Sequence, residues 1–203
     1  MRSLVVAALV LVAGCAAPVK GRIVGDVYIP PRGNFKCEIL GGAEYGTIRE
    51  RYSDFGGLVH FQDDMFAYRV DFQAIGGAPY SVPNDVAALD LAQKMYLHKQ
   101  AVPLTLHDRP GGVLVKEGPE EANGRRVYVG LLHYDKAGLD ATLAATGPHY
   151  KAVAVLLTEE FAYTVTTEDV DRSNVGQPVE KNMRDAIEKA VGQSTRCVFG
   201  GQF

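Results

Sequence analysis

Oxygen-bearing residues between positions 169 and 180 fall at the spacing of a calcium-binding loop, with Asp169, Asp171, Ser173, the carbonyl of Val175, Gln177 and Glu180 at loop positions 1, 3, 5, 7, 9 and 12. Position 6 is Asn174, where that loop takes glycine. Asparagine tolerates the left-handed backbone, but the preceding segment reads as a strand and not as an entering helix. Calcium is therefore an alternative, and Asp169, Asp171, Ser173 and Glu180 its weak candidate ligands. The competing reading is a polar strand-to-helix loop, with Glu180 favouring the dipole of the helix it begins. The five histidines, His60, His98, His107, His133 and His149, fall in different elements, and no HxxxH or HExxH places two on one helix face. They read as surface or strand-edge residues; His60 and His133 are singled out because their strands could be neighbours. The carboxylate pairs Asp63-Asp64, Glu120-Glu121 and Glu159-Glu160 read as turn residues, which are usually solvated, and paired acid–base work would need one of them desolvated. Ser53, Ser81, Ser173 and Ser194 lack a GxSxG context, and there is no GxGxxG or GxxxxGK[ST] to cradle phosphate. No catalytic or cofactor-binding residue is assigned, and nucleotides are not expected.

The elements that must position these groups belong to a chain of 203 residues, 47% hydrophobic and 22% charged, which is the profile of a folded core. The net charge is −3 and no stretch gathers the basic residues, so nucleic acid is not an expected partner. Ten tyrosines and eight phenylalanines beside 22 glycines and no tryptophan point to aromatic strands joined by turns.

At the amino terminus Arg2 precedes an apolar run, residues 4–12, ending in Val12-Ala13-Gly14-Cys15. The run is too short to cross ~30 Å of hydrocarbon, and it reads as a secretion signal. The four residues resemble the lipobox of bacterial lipoproteins; the alternative is a soluble secreted protein whose signal happens to contain a cysteine. The resemblance implies a diacylglyceryl thioether on Cys15, cleavage before it and acylation of the new amino group. The parts are then a signal peptide, 1–14, a lipidated cysteine with a short tether, 15–22, and a domain, 23–203. Two or more acyl chains give stable membrane attachment. Ala16 stands where aspartate would favour inner-membrane retention in that family, so the outer membrane, facing the periplasm, is implied. The tether reaches at most ~25 Å, which holds the domain near the bilayer. In an oxidising compartment Cys37 and Cys197 pair naturally as a disulfide. Two buried thiols are the alternative, since spacing alone cannot show that they meet.

From residue 24 to 75, short apolar and aromatic runs are broken by Pro30-Pro31, Gly41-Gly42, Gly56-Gly57 and Asp63-Asp64 and read as antiparallel strands, with Cys37 in the first of them. In residues 65–75, Phe66, Tyr68, Val70, Phe72 and Ala74 face one way, and Arg69, Asp71 and Gln73 face a wetter side. Pro83-Asn84-Asp85 then caps an amphipathic helix carrying an Asp90–Lys94 pair and stopped by Pro103. Strands resume at 112–116 and 126–134, the latter after Asn123-Gly124, which accepts the positive φ of a tight hairpin. Residues 152–157 are apolar without alternation and predict a central strand covered on both faces, the first arm of a hairpin spanning 151–167. A last helix starts at Pro178 and ends at Gly192, before a short strand at 196–199.

This order, with mostly hairpin connections, predicts one α+β domain with an antiparallel sheet. Residues 28–39 (Tyr-Ile-Pro-Pro-Arg-Gly-Asn-Phe-Lys-Cys-Glu-Ile), residues 57–63 (Gly-Leu-Val-His-Phe-Gln-Asp), and the closing strand pair followed by a helix resemble the PsbP-like family. That resemblance implies an α/β/α sandwich, an antiparallel sheet flanked by helices, and supplies no catalytic residues. The expected function is non-catalytic: a membrane-bound lipoprotein of the cell envelope that binds or stabilises another envelope protein or component. Tyr45, Tyr52 and Tyr80, near expected loops, are candidate contacts. The alternative is a lipoprotein binding a small ligand or calcium, and after it a hydrolase without a sequence signature. Apart from the covalent lipid, no cofactor is expected.

Overall fold

The computed structural model describes residues 20–39, 47–62, 66–75, 82–134, 149–169 and 178–200. Among these residues eleven strands form two antiparallel sheets. The smaller joins β1 (Arg22–Val24), β2 (Val27–Ile29), β3 (Phe35–Glu38) and the last strand β11 (Cys197–Phe199), in the order β1-β2-β3-β11. The larger has seven strands in the order β4-β5-β6-β10-β9-β8-β7. These are β4 (Thr47–Ser53), β5 (Gly56–Gln62), β6 (Phe66–Ala74), β7 (Gly112–Ala122), β8 (Arg125–Tyr134), β9 (His149–Leu157) and β10 (Phe161–Asp169). The class is α+β, but strands dominate, and the single helix-flanked sheet expected from the sequence is replaced by two sheets. The reason is local. A turn at Pro30, closed by the Gly33 amide on the Pro30 carbonyl at 2.9 Å, folds β3 back beside β2 and separates this hairpin from β4 and the strands of the larger sheet. Cys37 therefore lies in the third strand, not the first.

Alternation decides what each sheet buries. In β6, Tyr68, Val70 and Phe72 are buried, and β5 adds Val59 and Phe61 to the same face. Against that face pack Tyr28, Phe35, Cys37 and Phe199 of the small sheet, together with Met183, Ile187, Ala190 and Val191 of the helix α3 (Val179–Thr195). The opposite face presents Tyr128, Leu132, Val153, Val155 and Ala162 to Tyr96, Leu97, Ala101 and Leu106. Residues 152–157 of β9 are buried throughout, as an unalternated apolar run requires when both faces are covered.

Helix α1 (Val86–Tyr96) begins where the sequence says, with the Asp85 carboxylate accepting from the Ala88 amide at 2.9 Å. Pro103 does not stop the helix. The chain passes through a π-helical turn, Leu97–Ala101, into α2 (Val102–Asp108), with Pro103 in its first turn. The Val102 amide donates to the Leu97 carbonyl five residues back. That wider turn relieves the ring clash and missing donor that would break a regular helix at proline. Gly130 of β8 makes room for it, since a Cβ there would lie 2.9 Å from the Leu97 side chain. The Asp90–Lys94 pair gives way to contacts with the sheet. Asp90 takes a two-pronged salt bridge from Arg126 of β8, both distances 2.8 Å, and Lys94 meets Glu117 of β7 at 2.6 Å.

Two boundaries also shift. Strand β7 continues to Ala122 through Pro119, which an edge strand tolerates because the missing amide faces outward. Helix α3 runs through Gly192 to Thr195. Glycine costs a helix about 1 kcal/mol against alanine, and the burial of Ala190, Gln193 and Ser194 around it outweighs that. The helix must also deliver Cys197 to its partner. Cys37 and Cys197 face each other in register across β3 and β11, Cα atoms 4.1 Å apart, and are bonded. No helix among the described residues is long and apolar enough to cross a membrane.

Candidate functional site

Several residues singled out by the sequence lie outside the described chain: Cys15, Asp171, Ser173, Val175, Gln177, Tyr45 and Tyr80. Asp169 is the last residue of β10 and Glu180 is exposed in the first turn of α3. Among the described residues no group of three or more His, Cys, Asp or Glu is placed to hold a metal. His60 and His133 are not neighbours, because β6, β10 and β9 lie between their strands. His98 meets Glu117 at 2.6 Å, His149 meets Arg109 at 3.2 Å, and His107 is exposed on α2.

Tyr52 is a strand residue whose ring packs near Phe72, not a loop residue waiting for a partner. Its hydroxyl donates to Glu50 Oε2 at 2.8 Å, and the same oxygen accepts from the Tyr28 hydroxyl and, at 2.8 Å, from the Gly21 amide. Burial raises the Glu50 carboxyl, but these donors outweigh it and hold the group below its usual range. A lowered carboxyl contributes stability above its unfolded value, near 4.5, and loses it as pH falls through the folded value. Glu50→Gln should therefore destabilise the protein by about 1 kcal/mol at neutral pH, a figure reduced for solvent screening. The gap between variant and parent should close in acid. Urea unfolding of both proteins at pH 7 and pH 3 measures it, and a gap that widens in acid would contradict the assignment.

The strongest constellation surrounds a residue that the sequence left on the wetter face. Asp71, in the middle of β6, points away from the aromatic core toward the π-helical turn. Arg69, two residues earlier on the same face, reaches its Oδ1 with Nε at 2.8 Å and Nη2 at 2.5 Å, while Nη1 contacts Asp108 at the end of α2. Oδ2 of Asp71 takes no hydrogen bond from the described residues. Burial pushes the Asp71 carboxyl above its ordinary range; the bonds and charge of Arg69 and the charge of Lys151 work against this, and the charge of Asp108 adds to it. Arg69 moves the other way in energetic terms. Its burial is outweighed by the two carboxylates, which keep it firmly charged.

Asp71 lines a cavity of about 300 Å³. Its walls come from three places: Ser53, Phe55, Gly56 and Gly57 at the β4–β5 hairpin, Phe72, Gln73 and Thr164 on β6 and β10, and Tyr96, Gln100, Ala101 and Leu104 along the helical segment. The π turn is what brings Tyr96, Gln100 and Ala101 onto one wall, and such turns recur at functional sites. A buried carboxyl with one free oxygen among amide and hydroxyl groups can hold a hydrogen-bond donor. One signal in the sequence pointed here, since an aspartate inside a nine-residue strand goes against strand preference.

Fold and site together define an α+β domain of two antiparallel sheets, tied by a disulfide between its two ends, with a cavity at the Asp71 carboxyl between hairpin and helix. No known protein family matches the sequence, and no curated protein matches it.

Proposed function

We propose that the chain is a lipid-anchored protein of the cell envelope whose domain binds or stabilises another envelope component. The observation that carries this reading is the Cys37–Cys197 disulfide, which joins residues 160 apart and fits a chain exported to an oxidising compartment. Attachment is assigned to Cys15, through the likeness of residues 12–15 to a lipobox, with the outer membrane as destination. The resemblance of residues 28–39 and 57–63 to the PsbP-like family belongs to the same reading. Binding, rather than turnover, is the role that suits an Asp71 carboxyl already tied to Arg69. A second reading, a small-ligand-binding lipoprotein, is favoured by the cavity at that carboxyl.

The test is cell fractionation. Cys15→Ser removes the sulfur that the thioether needs, and the apolar run alone is too short to span. The parent protein should sediment with membranes and the variant should lose that attachment. A variant that stays membrane-bound after its signal has been removed would refute the anchor.

A further inference from the structure

The geometry points to the cavity at Asp71 as a binding site for a small organic amine with an apolar portion. This gives the second reading above its ligand class and does not depend on lipid attachment.

The charge a ligand meets comes first. Asp71 is faced by Arg69 on its own strand, by Asp108 on α2 and by Lys151 on β9. Of these four only Asp71 lines the cavity, so the wall presents a negative group and the cations stand behind it. Arg69 spends both of its bonds to Asp71 on Oδ1. Oδ2 is left as an acceptor that matches an ammonium donor, and Gln73 and Gln100 line the same cavity.

The apolar portion has a place at the mouth. Phe55, at the tip of the β4–β5 hairpin, is 75% exposed, and Leu104 on α2 is 42% exposed; both line this cavity. Held in water on a tight turn, that ring belongs to neither core cluster. Beside a carboxylate, an aromatic face also attracts a cation. The volume, about 300 Å³, lies at the small end of ligand pockets and suits a monoamine of modest size.

The experiment uses full-length protein in detergent and three probes that share a phenethyl group: phenethylamine, 2-phenylethanol and 3-phenylpropionate. Backbone amide shifts are followed by NMR during each titration. Phenethylamine should give saturable shifts centred on Gln73 and Gln100, and the alcohol and the acid should bind at least tenfold more weakly. Asp71→Asn should weaken phenethylamine binding at least tenfold, and Phe55→Ala about two- to fivefold. Affinity should rise with pH as the Asp71 carboxyl ionises, with Arg69 remaining charged throughout. Should Asp71→Asn fail to fold, the probe series and the surface variant Phe55→Ala decide the matter. Equal binding of the alcohol, shifts elsewhere on the protein, or no saturation with phenethylamine would overturn the site. None of these results bears on Cys15, so failure here leaves the anchoring reading to its own test.

Discussion

Unfolding free energy should fall by roughly 5 kcal/mol when the Cys37–Cys197 bond is removed, the value that loop-closure entropy gives for a closed loop of this length. The bond joins positions 160 apart, so without it the denatured chain regains almost all of its freedom. Little in the native state should offset the loss. Strand β11 has only three residues, and its pairing with β3 is held at the edge by the Glu38 amide on the Arg196 carbonyl, 3.1 Å, and the Gly200 amide on the Asn34 carbonyl, 3.0 Å. Guanidinium unfolding with and without reductant measures the effect. The parent midpoint should drop on reduction, and the Cys37→Ala/Cys197→Ala double variant should unfold at the reduced midpoint regardless of reductant. Coincident midpoints for reduced and oxidised parent would mean that the bond contributes nothing.

The second large effect lies beneath the same strands. Phe35 is fully buried, with its ring 5.5 Å from that of Phe72, 6.1 Å from Tyr163 and 6.2 Å from Phe199. It thus links the small sheet to β6 and β10 of the large one. Phe35→Ala removes the transfer energy of the ring and leaves a cavity between two sheets that cannot both move inward, a cost of about 3–5 kcal/mol. Melting should fall by on the order of 10 °C for a domain of this size. Phe35→Leu, which keeps most of the volume, should recover more than half of the loss. If the alanine variant melts within a degree or two of the parent, the two sheets are not packed through this ring.

What the sequence made legible was local. The Asp85 cap, the Asn123-Gly124 turn, with φ of 53° and 70°, and the doubly covered run at 152–157 each rest on a rule that operates within a few residues. Pairing of the cysteines followed from compartment and count, and the structure supplies the meeting that spacing could not. The misreadings have a common cause in tertiary packing. Pro103 and Gly192 are breakers in isolation, but a π turn absorbs the first and buried neighbours outweigh the second. The small sheet was hidden because β1 has only three residues, all exposed, and so shows no alternation. Asp71 looked like a surface residue because nothing in its strand announces that α2 and the π turn will cover that face.

The central claim, attachment through Cys15, is tested most directly by mass spectrometry of the amino-terminal peptide from membrane-bound protein. The peptide should begin at Cys15 and carry the mass of a diacylglyceryl thioether and an amide-linked acyl chain. A peptide that begins at residue 1, or that begins at or near Cys15 with an unmodified thiol, would contradict the account.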